Sequence, residues 1–261
     1  MDISIIIVYY KSEEITKNCL KSIKQADLSG FSYEIIVVNN SAEDKQAEQE
    51  FKEIIPGIKF IQSEKNLGMG KGNNLGIKQA QGDFILILNA DIIVKKGAIE
   101  TLFNFIKNDS NIGLVAPKLL NSDNSLQISC FRFPKFWIPI VRRTFLGKFF
   151  KNYLDEFIMA DFDRNNIREV DWIMGSCFLA RKEALKKIGN FDPRYFMYLE
   201  DVDLCRSLWA AGYKVFYNPE SEIIHDHGRA SAKEKWYLAP FKNKLAQEHI
   251  KSWLRYFWKW K

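Results

Sequence analysis

The chain has 261 residues, 47% of them apolar, and sets 38 Lys and Arg against 32 Asp and Glu for a formal net charge of +6. This length makes one large domain, or a domain with an appendage, around a sizeable core. The mild basic balance excludes a dedicated nucleic-acid binder and suits anionic partners, small or membranous. Cys19, Cys130, Cys177 and Cys205 are far apart and form no C-x-x-C, which points to reduced thiols in the cytoplasm rather than a zinc site or a disulfide framework. The N-terminus enters an apolar run at once and no 18-residue apolar run follows, so neither a signal peptide nor a bilayer span is expected.

Residues 3–8 (Ile-Ser-Ile-Ile-Ile-Val) read as a central strand. A helix is predicted over residues 13–25, with Ile15, Cys19, Leu20 and Ile23 on one face. Residues 34–39 and 58–61 give two further strands, the first ending at Asn39. A loop carrying Gly68, Gly70 and Gly72 then leads into a helix near residues 73–80. The spacing of these glycines matches neither a dinucleotide fingerprint nor a P-loop, although a helix start here can face a phosphate.

Residues 84–88 (Phe-Ile-Leu-Ile-Leu) form a short unbroken apolar run, the pattern of a strand buried on both faces. Asp91 emerges where that strand ends. Ligands of open α/β sheets bind outside the carboxyl ends of the strands, and a carboxylate there must be solvated, paired or bound to a cation. A plain turn aspartate is the alternative.

Residues 113–120 make another strand, after which the pattern loosens over residues 121–169. Aromatic residues such as Phe136, Trp137 and Phe149 alternate there with Arg and Lys. That mixture fits an acceptor-binding insertion or an interfacial segment better than a nucleic-acid surface, because no nucleic-acid motif accompanies it.

Order returns at Trp172 and at a buried strand over residues 175–180. Glu200, Asp201 and Asp203 then precede Leu204, Leu208 and Trp209 at helical spacing. Acids in a first helical turn are favoured by the macrodipole, so a helix-start role and a catalytic one both fit. A last strand is predicted over residues 213–217, before Pro219. His225 and His227 follow as an H-x-H pair, a metal candidate only together with a carboxylate from elsewhere.

In the final segment Ile250, Trp253, Leu254, Phe257 and Trp258 recur at helical spacing beside Lys251, Arg255 and Lys259. Such a helix lies on an anionic membrane surface, or packs on its own domain or a second subunit as in a homodimer.

As an ordered set these segments resemble the inverting family 2 glycosyltransferases of the GT-A fold, and most of all the bacterial rhamnosyltransferase-type enzymes of cell-surface polysaccharide synthesis. The segments that carry the resemblance include Val37-Val38-Asn39-Asn40-Ser41, Asn66-Leu67-Gly68, Leu88-Asn89-Ala90-Asp91, Asp171-Trp172 with Gly175, Tyr198-Leu199-Glu200-Asp201-Val202-Asp203 and Ile224-His225. The fold it implies is a mostly parallel central sheet flanked by helices. Residues 1–230 would form the catalytic domain, divided into a nucleotide-sugar half (1–120) and an acceptor half (121–230). Residues 231–261 would be an amphipathic basic and aromatic tail.

The resemblance also implies roles. Asp91 and His225 would hold magnesium or manganese on the diphosphate of a UDP- or dTDP-linked sugar, with Asn89 in place of a first acid. Tyr9 and Asn39 would meet the nucleobase, and Asn66, Gly68 and Lys71 also belong to the donor site. Trp172 and Gly175 would line the site of a glycan or lipid-linked acceptor. Asp201 would be the general base, with Glu200 orienting the acceptor. The setting implied is the cytoplasm, peripheral on the inner face of the membrane. The rival readings are a sugar nucleotidyltransferase and a non-catalytic carbohydrate- or membrane-binding protein on a degenerate scaffold.

Overall fold

The computed structural model describes residues 1–42, 46–143, 145–226 and 243–261. His227 therefore lies outside the described residues, as does the first stretch of the expected C-terminal segment. The central sheet runs β3-β2-β1-β4-β11-β6-β12-β5. In chain order these strands are β1 (Ile3–Tyr9), β2 (Tyr33–Asn39), β3 (Lys59–Gln62), β4 (Phe84–Asn89), β5 (Ile92–Val94), β6 (Ile112–Leu120), β11 (Cys177–Arg181) and β12 (Lys214–His225). Short β7 (Leu126–Gln127) pairs with β6 and β9 (Arg168–Glu169) with β12, while β8 (Cys130–Phe131) and β10 (Trp172–Ile173) form a separate pair.

Strands β1 to β4 are mutually parallel where they pair. Strand β11 runs antiparallel to both β4 and β6, so β6 and its parallel partner β12 point the same way as β4. The sheet is thus mostly parallel, with β11 reversed in its middle and β5 reversed at its edge.

The unbroken apolar runs are explained by burial on both faces. Ile3, Ile5, Ile7 and Tyr9 join one core cluster, with α1 (Glu13–Gln25), α2 (Ala47–Ile54) and α4 (Ala98–Lys107). Ile6 and Val8 join the other, with α3 (Met69–Gln79), α7 (Lys182–Ile188) and α8 (Glu200–Ala210). Helix α1 has the expected ends, but Ile15 faces solvent and Thr16 takes the inward position.

Two expectations are corrected. Helix α3 starts at Met69, so Gly70 and Gly72 are helical rather than part of a loop. Glycine weakens a helix in isolation, but here it lets α3 lie directly on β1: a Cβ at Gly76 would stand 2.5 Å from Ile6 Cγ2. Strand β12 does not stop before Pro219. It passes the proline through a register shift between Asn218 and Glu222 and reaches His225, the way a strand absorbs a residue that lacks an N–H.

The chain between β8 and β9 holds α5 (Ile138–Arg143), a 3-10 turn (Phe145–Lys148) and α6 (Lys151–Phe157). The last helix, α9 (Lys244–Lys259), packs on α8. Its expected apolar stripe is divided. Phe136 stacks on Trp253 at 4.3 Å and meets Phe257 edge-on, while Ile250, Leu254 and Trp258 point outward. Lys259 does not lie beside that outward row but turns inward to Asp192 and Asp203.

Candidate active site

Tyr9, Asn39 and Asn89 stand at the carboxyl ends of β1, β2 and β4, with Asp91 just beyond the last, and the other residues singled out come from separate elements. Strand β11 begins with Cys177 opposite Leu88, and the Asn89 N–H donates to Ser176 O at 2.8 Å. This bond ties the end of β4 to the Gly175-Ser176 turn. Gly175 N–H in turn donates to Asp201 Oδ2 at 2.9 Å. A Cβ on Gly175 would stand 3.1 Å from Asp201 Cβ, tight enough that Asp201 would have to give by a few tenths of an ångström. Asp91 at the strand end and Asp201 at the start of α8 are thereby linked through one short turn.

On the strand side, His225 at the end of β12 is paired with Ile92, and the Asp226 N–H donates to Asp91 O at 2.9 Å. His225 Nε2 stands 3.2 Å from Asp91 Oδ1, with the histidine 2% and the aspartate 26% exposed. Gln127 fixes the ring. Its Nε2 is engaged by Asn121 Oδ1 at 3.2 Å, which turns Gln127 Oε1 to His225 Nδ1 at 2.7 Å. A carbonyl oxygen only accepts, so Nδ1 carries a proton and Nε2 is the ring nitrogen turned to Asp91. The sequence reading missed Gln127, which sits on a two-residue strand with no periodicity to mark it.

Among the described residues no three of His, Cys, Asp and Glu converge as a complete metal cage. The donor set still fits a hard or borderline cation completed by a ligand's phosphates: one carboxylate, one imidazole and Asn89 Oδ1, a buried oxygen without a hydrogen-bond partner among the described residues.

Asn39 is fully buried, donating from Nδ2 to Gln62 Oε1 at 2.9 Å and accepting Ser41 N–H at 2.8 Å. Tyr9 is 1% exposed with its ring edge-on to Phe51, and the ring that stands open at this strand end is Tyr10. Both sequence-predicted residues thus brace the strand ends from within. Asn66 Oδ1 accepts the Gly68 N–H at 2.9 Å and Asn40 Nδ2 at 3.1 Å. Asn40, another residue not singled out, also accepts the Leu67 N–H at 3.0 Å. Gly68 has φ +78°, and a Cβ there would fall 1.9 Å from Phe196 O, so the loop before α3 needs glycine on both counts. Lys71 is exposed in the first turn of α3.

Trp172 stacks on Phe131 at 4.5 Å and donates its indole N–H to Arg132 O at 2.8 Å, standing half-buried beside α8. Asp201 accepts a second backbone N–H, that of Val202, at Oδ1 (2.8 Å). Burial nevertheless raises its carboxyl above the ordinary value, against the lowering effect of those N–H groups. Burial and, behind it, the Asp201 charge push Glu200 up to about 8, and Glu200 Oε2 is buried with no hydrogen-bond partner among the described residues. Glu200, raised to about 8, is mainly protonated at neutral pH, and it stands beside Asp201, whose carboxyl keeps two backbone N–H donors that Glu200 lacks.

The sequence profile described as "Glycosyl transferase family 2" matches residues 4–189. An N-acetylglucosaminyl-diphospho-decaprenol L-rhamnosyltransferase of Mycobacterium tuberculosis is 28% identical over 191 residues, 69% of this chain and 62% of that protein. Rhamnosyltransferase WbbL of Escherichia coli K12 is 28% identical over 264 residues, covering 97% of this chain and 91% of the relative. Among solved structures, GalNAc-T7 with UDP, GalNAc and Mn2+ superposes with a TM-score of 0.66 at 16% identity, over 87% of this chain and 44% of that one. Staphylococcus aureus TarS superposes with a TM-score of 0.60 at 18% identity, over 87% and 37%. The profile and the mostly parallel sheet with its reversed β11 agree, and the chain belongs to glycosyl transferase family 2.

Proposed function

We propose that this protein is a metal-dependent inverting glycosyltransferase. It moves a sugar, rhamnose in the reading the relatives favour, from a UDP- or dTDP-linked donor to a hydroxyl of a glycan or lipid-linked acceptor. The observation that carries this reading is the Asp91-to-Asp201 link through the Asn89–Ser176 and Gly175–Asp201 hydrogen bonds. It ties two acids of different environment to the carboxyl edge of the sheet, where α/β proteins bind ligands.

Residues 1–120 serve the donor in this reading, and residues 121–230 the acceptor. Asp91 and His225, with Asn89 beside them, would hold magnesium or manganese, which would supply a Lewis acid to offset the charge of the leaving nucleoside diphosphate. The Asn66–Gly68 turn and Lys71 flank the diphosphate, while Asn39 and Tyr9 brace the strand ends against which the base lies. Trp172 and Gly175 wall the acceptor. Asp201 accepts the proton of the attacking hydroxyl, and protonated Glu200 donates a hydrogen bond that orients it.

A peripheral position on the inner face of an anionic membrane belongs to the same reading. Ile250, Leu254 and Trp258 are 42%, 53% and 66% exposed along one row of α9, and Trp137 is 61% exposed on the segment that α9 supports. A second subunit on that row is the other outcome. No helix among the described residues is long and apolar enough to cross a membrane.

The test is a panel of UDP- and dTDP-sugars, read by thermal shift and nucleoside diphosphate release with and without manganese. One donor should raise the melting temperature only with the metal and release its diphosphate. A protein that binds a sugar nucleotide and never releases diphosphate is the non-catalytic rival. One that neither binds nor turns over any of them refutes the reading.

A further inference from the structure

The C-terminal helix makes an unusual set of contacts for an appendage. From one face of α9, residues spaced at helical intervals reach the loop 192–199 that leads into α8. The His249 ring stacks on Tyr198 at 4.6 Å, and Ser252 Oγ donates to Met197 O at 2.9 Å. Arg255 donates to Arg194 O, and Lys259 Nζ reaches Asp192 Oδ2 at 3.1 Å. The same lysine stands 2.7 Å from Asp203 Oδ2, while the Trp260 indole N–H donates to Asp203 Oδ1, also at 2.7 Å.

What α9 grips is costly backbone and a costly charge. Tyr198 and Leu199 are consecutive non-glycine residues with φ of 69° and 64°, and Leu199 is the residue that caps α8. Such conformations persist only where the surroundings over-determine them. Asp203 is 2% exposed, and among the described residues its side-chain donors, apart from the Tyr195 hydroxyl at 3.3 Å, are Lys259 at the end of α9 and Trp260 next to it. A buried carboxylate stripped of its cation is an uncompensated charge that the helix bearing it must move to hydrate. Asp203 stands on the same first turn as Glu200 and Asp201, and its N–H closes that turn onto Leu199 O at 2.9 Å.

We propose that α9 is a positioning element of the active site: Lys259, Trp260 and Ser252 hold the strained lead-in loop and Asp203, and through them set where Glu200 and Asp201 stand. The proposal rests on the reading of that pair as the acid and base of sugar transfer. Lys259 is then a positioning residue that never touches substrate. The loop extends the effect to the donor side, since Phe196 O accepts the Met69 N–H at 3.0 Å where α3 begins.

The test uses the full chain and compares wild type with Lys259→Met and Lys259→Arg. Amide hydrogen exchange is followed over residues 192–203, and kcat and KM are measured for diphosphate release from dTDP-L-rhamnose with manganese. In Lys259→Met, exchange over residues 192–203 should quicken by about tenfold or more while that of β1 and β4 stays as it was. Its kcat should fall by roughly tenfold to a hundredfold with KM changed by less than about twofold, the mark of a misplaced group rather than lost binding. Lys259→Arg, which keeps the charge, should restore both. Unchanged exchange in Lys259→Met, or faster exchange with an unchanged kcat, overturns the proposal. Should Lys259→Met fail to fold, Trp260→Phe removes only one donor from Asp203 and carries the same measurements. A wild type that releases no diphosphate counts against the transferase reading alone, because the exchange arm still reports whether α9 holds the pair.

Discussion

Replacing Asp201 by Asn separates a catalytic carboxylate from a helix-start acid. The carboxylate accepts two backbone N–H groups, Gly175 at 2.9 Å and Val202 at 2.8 Å, one on each oxygen. An amide keeps one acceptor and turns an NH2 towards the other, which leaves a backbone N–H unmet at a cost of about 1–3 kcal/mol. Against this, burial raises the Asp201 carboxyl, so its charge is itself unfavourable in the fold, and the neutral amide removes that penalty. The two effects oppose each other, and the melting temperature should move by only a few degrees. Turnover should behave quite differently. Loss of a positioned base lowers kcat by about 10²–10⁴, or roughly 3–5.5 kcal/mol at 1.36 kcal/mol per decade. The assay is diphosphate release at saturating donor and acceptor, with donor affinity measured separately by calorimetry and expected to hold. In wild type the activity should appear as pH rises through the Asp201 titration, because the ionised form is the base. The Asn variant should lack that limb. Turnover within about fivefold of wild type, where a lost base predicts at least about a hundredfold, would refute the assignment.

Asp91→Ala should abolish manganese-dependent donor binding, since it removes the carboxylate that stands 3.2 Å from His225; equal calorimetric affinity with and without the substitution counts against it. Gly68→Ala should destabilise the protein by about 2–3 kcal/mol or more, because φ +78° is glycine backbone and the added Cβ would meet Phe196 O at 1.9 Å; a urea midpoint like that of wild type is the contrary result. Glu200 is raised from 4.5 to about 8, so the fold binds its proton more tightly than the unfolded chain does, and the stability this contributes is complete below the unfolded value and lost as pH rises from about 4.5 to 8. Glu200→Gln should therefore flatten the fall in melting temperature across that window; an equal slope in both proteins contradicts the shift. Full-length protein should sediment with anionic liposomes and a variant with Ile250, Leu254 and Trp258 all replaced by Ser should not, whereas a change in oligomer size in the variant, with no liposome binding by either, assigns the row to a second subunit.

Local pattern alone went far in this chain. The runs at residues 3–8 and 84–88 are apolar without alternation because both faces of β1 and β4 are covered, so their composition announced a parallel sheet before any partner was known. Asp91 and Asp201 were legible because one follows a buried strand and the other opens a helix, and His225 because it begins an H-x-H pair. Other features depend on what comes to lie beside them. Gly70 and Gly72 read as a loop, since the strand that lets a glycine-rich helix form is over sixty residues away in sequence. Pro219 read as a stop, but the neighbouring β6 carries β12 past it. Gln127 and Asn40 act through hydrogen bonds to residues distant in sequence, and such contacts leave no period in the chain. The same holds for α9. Its helical spacing was plain, but which residues turn inward was decided by the buried carboxylate of Asp203, to which Lys259 and Trp260 supply the donors.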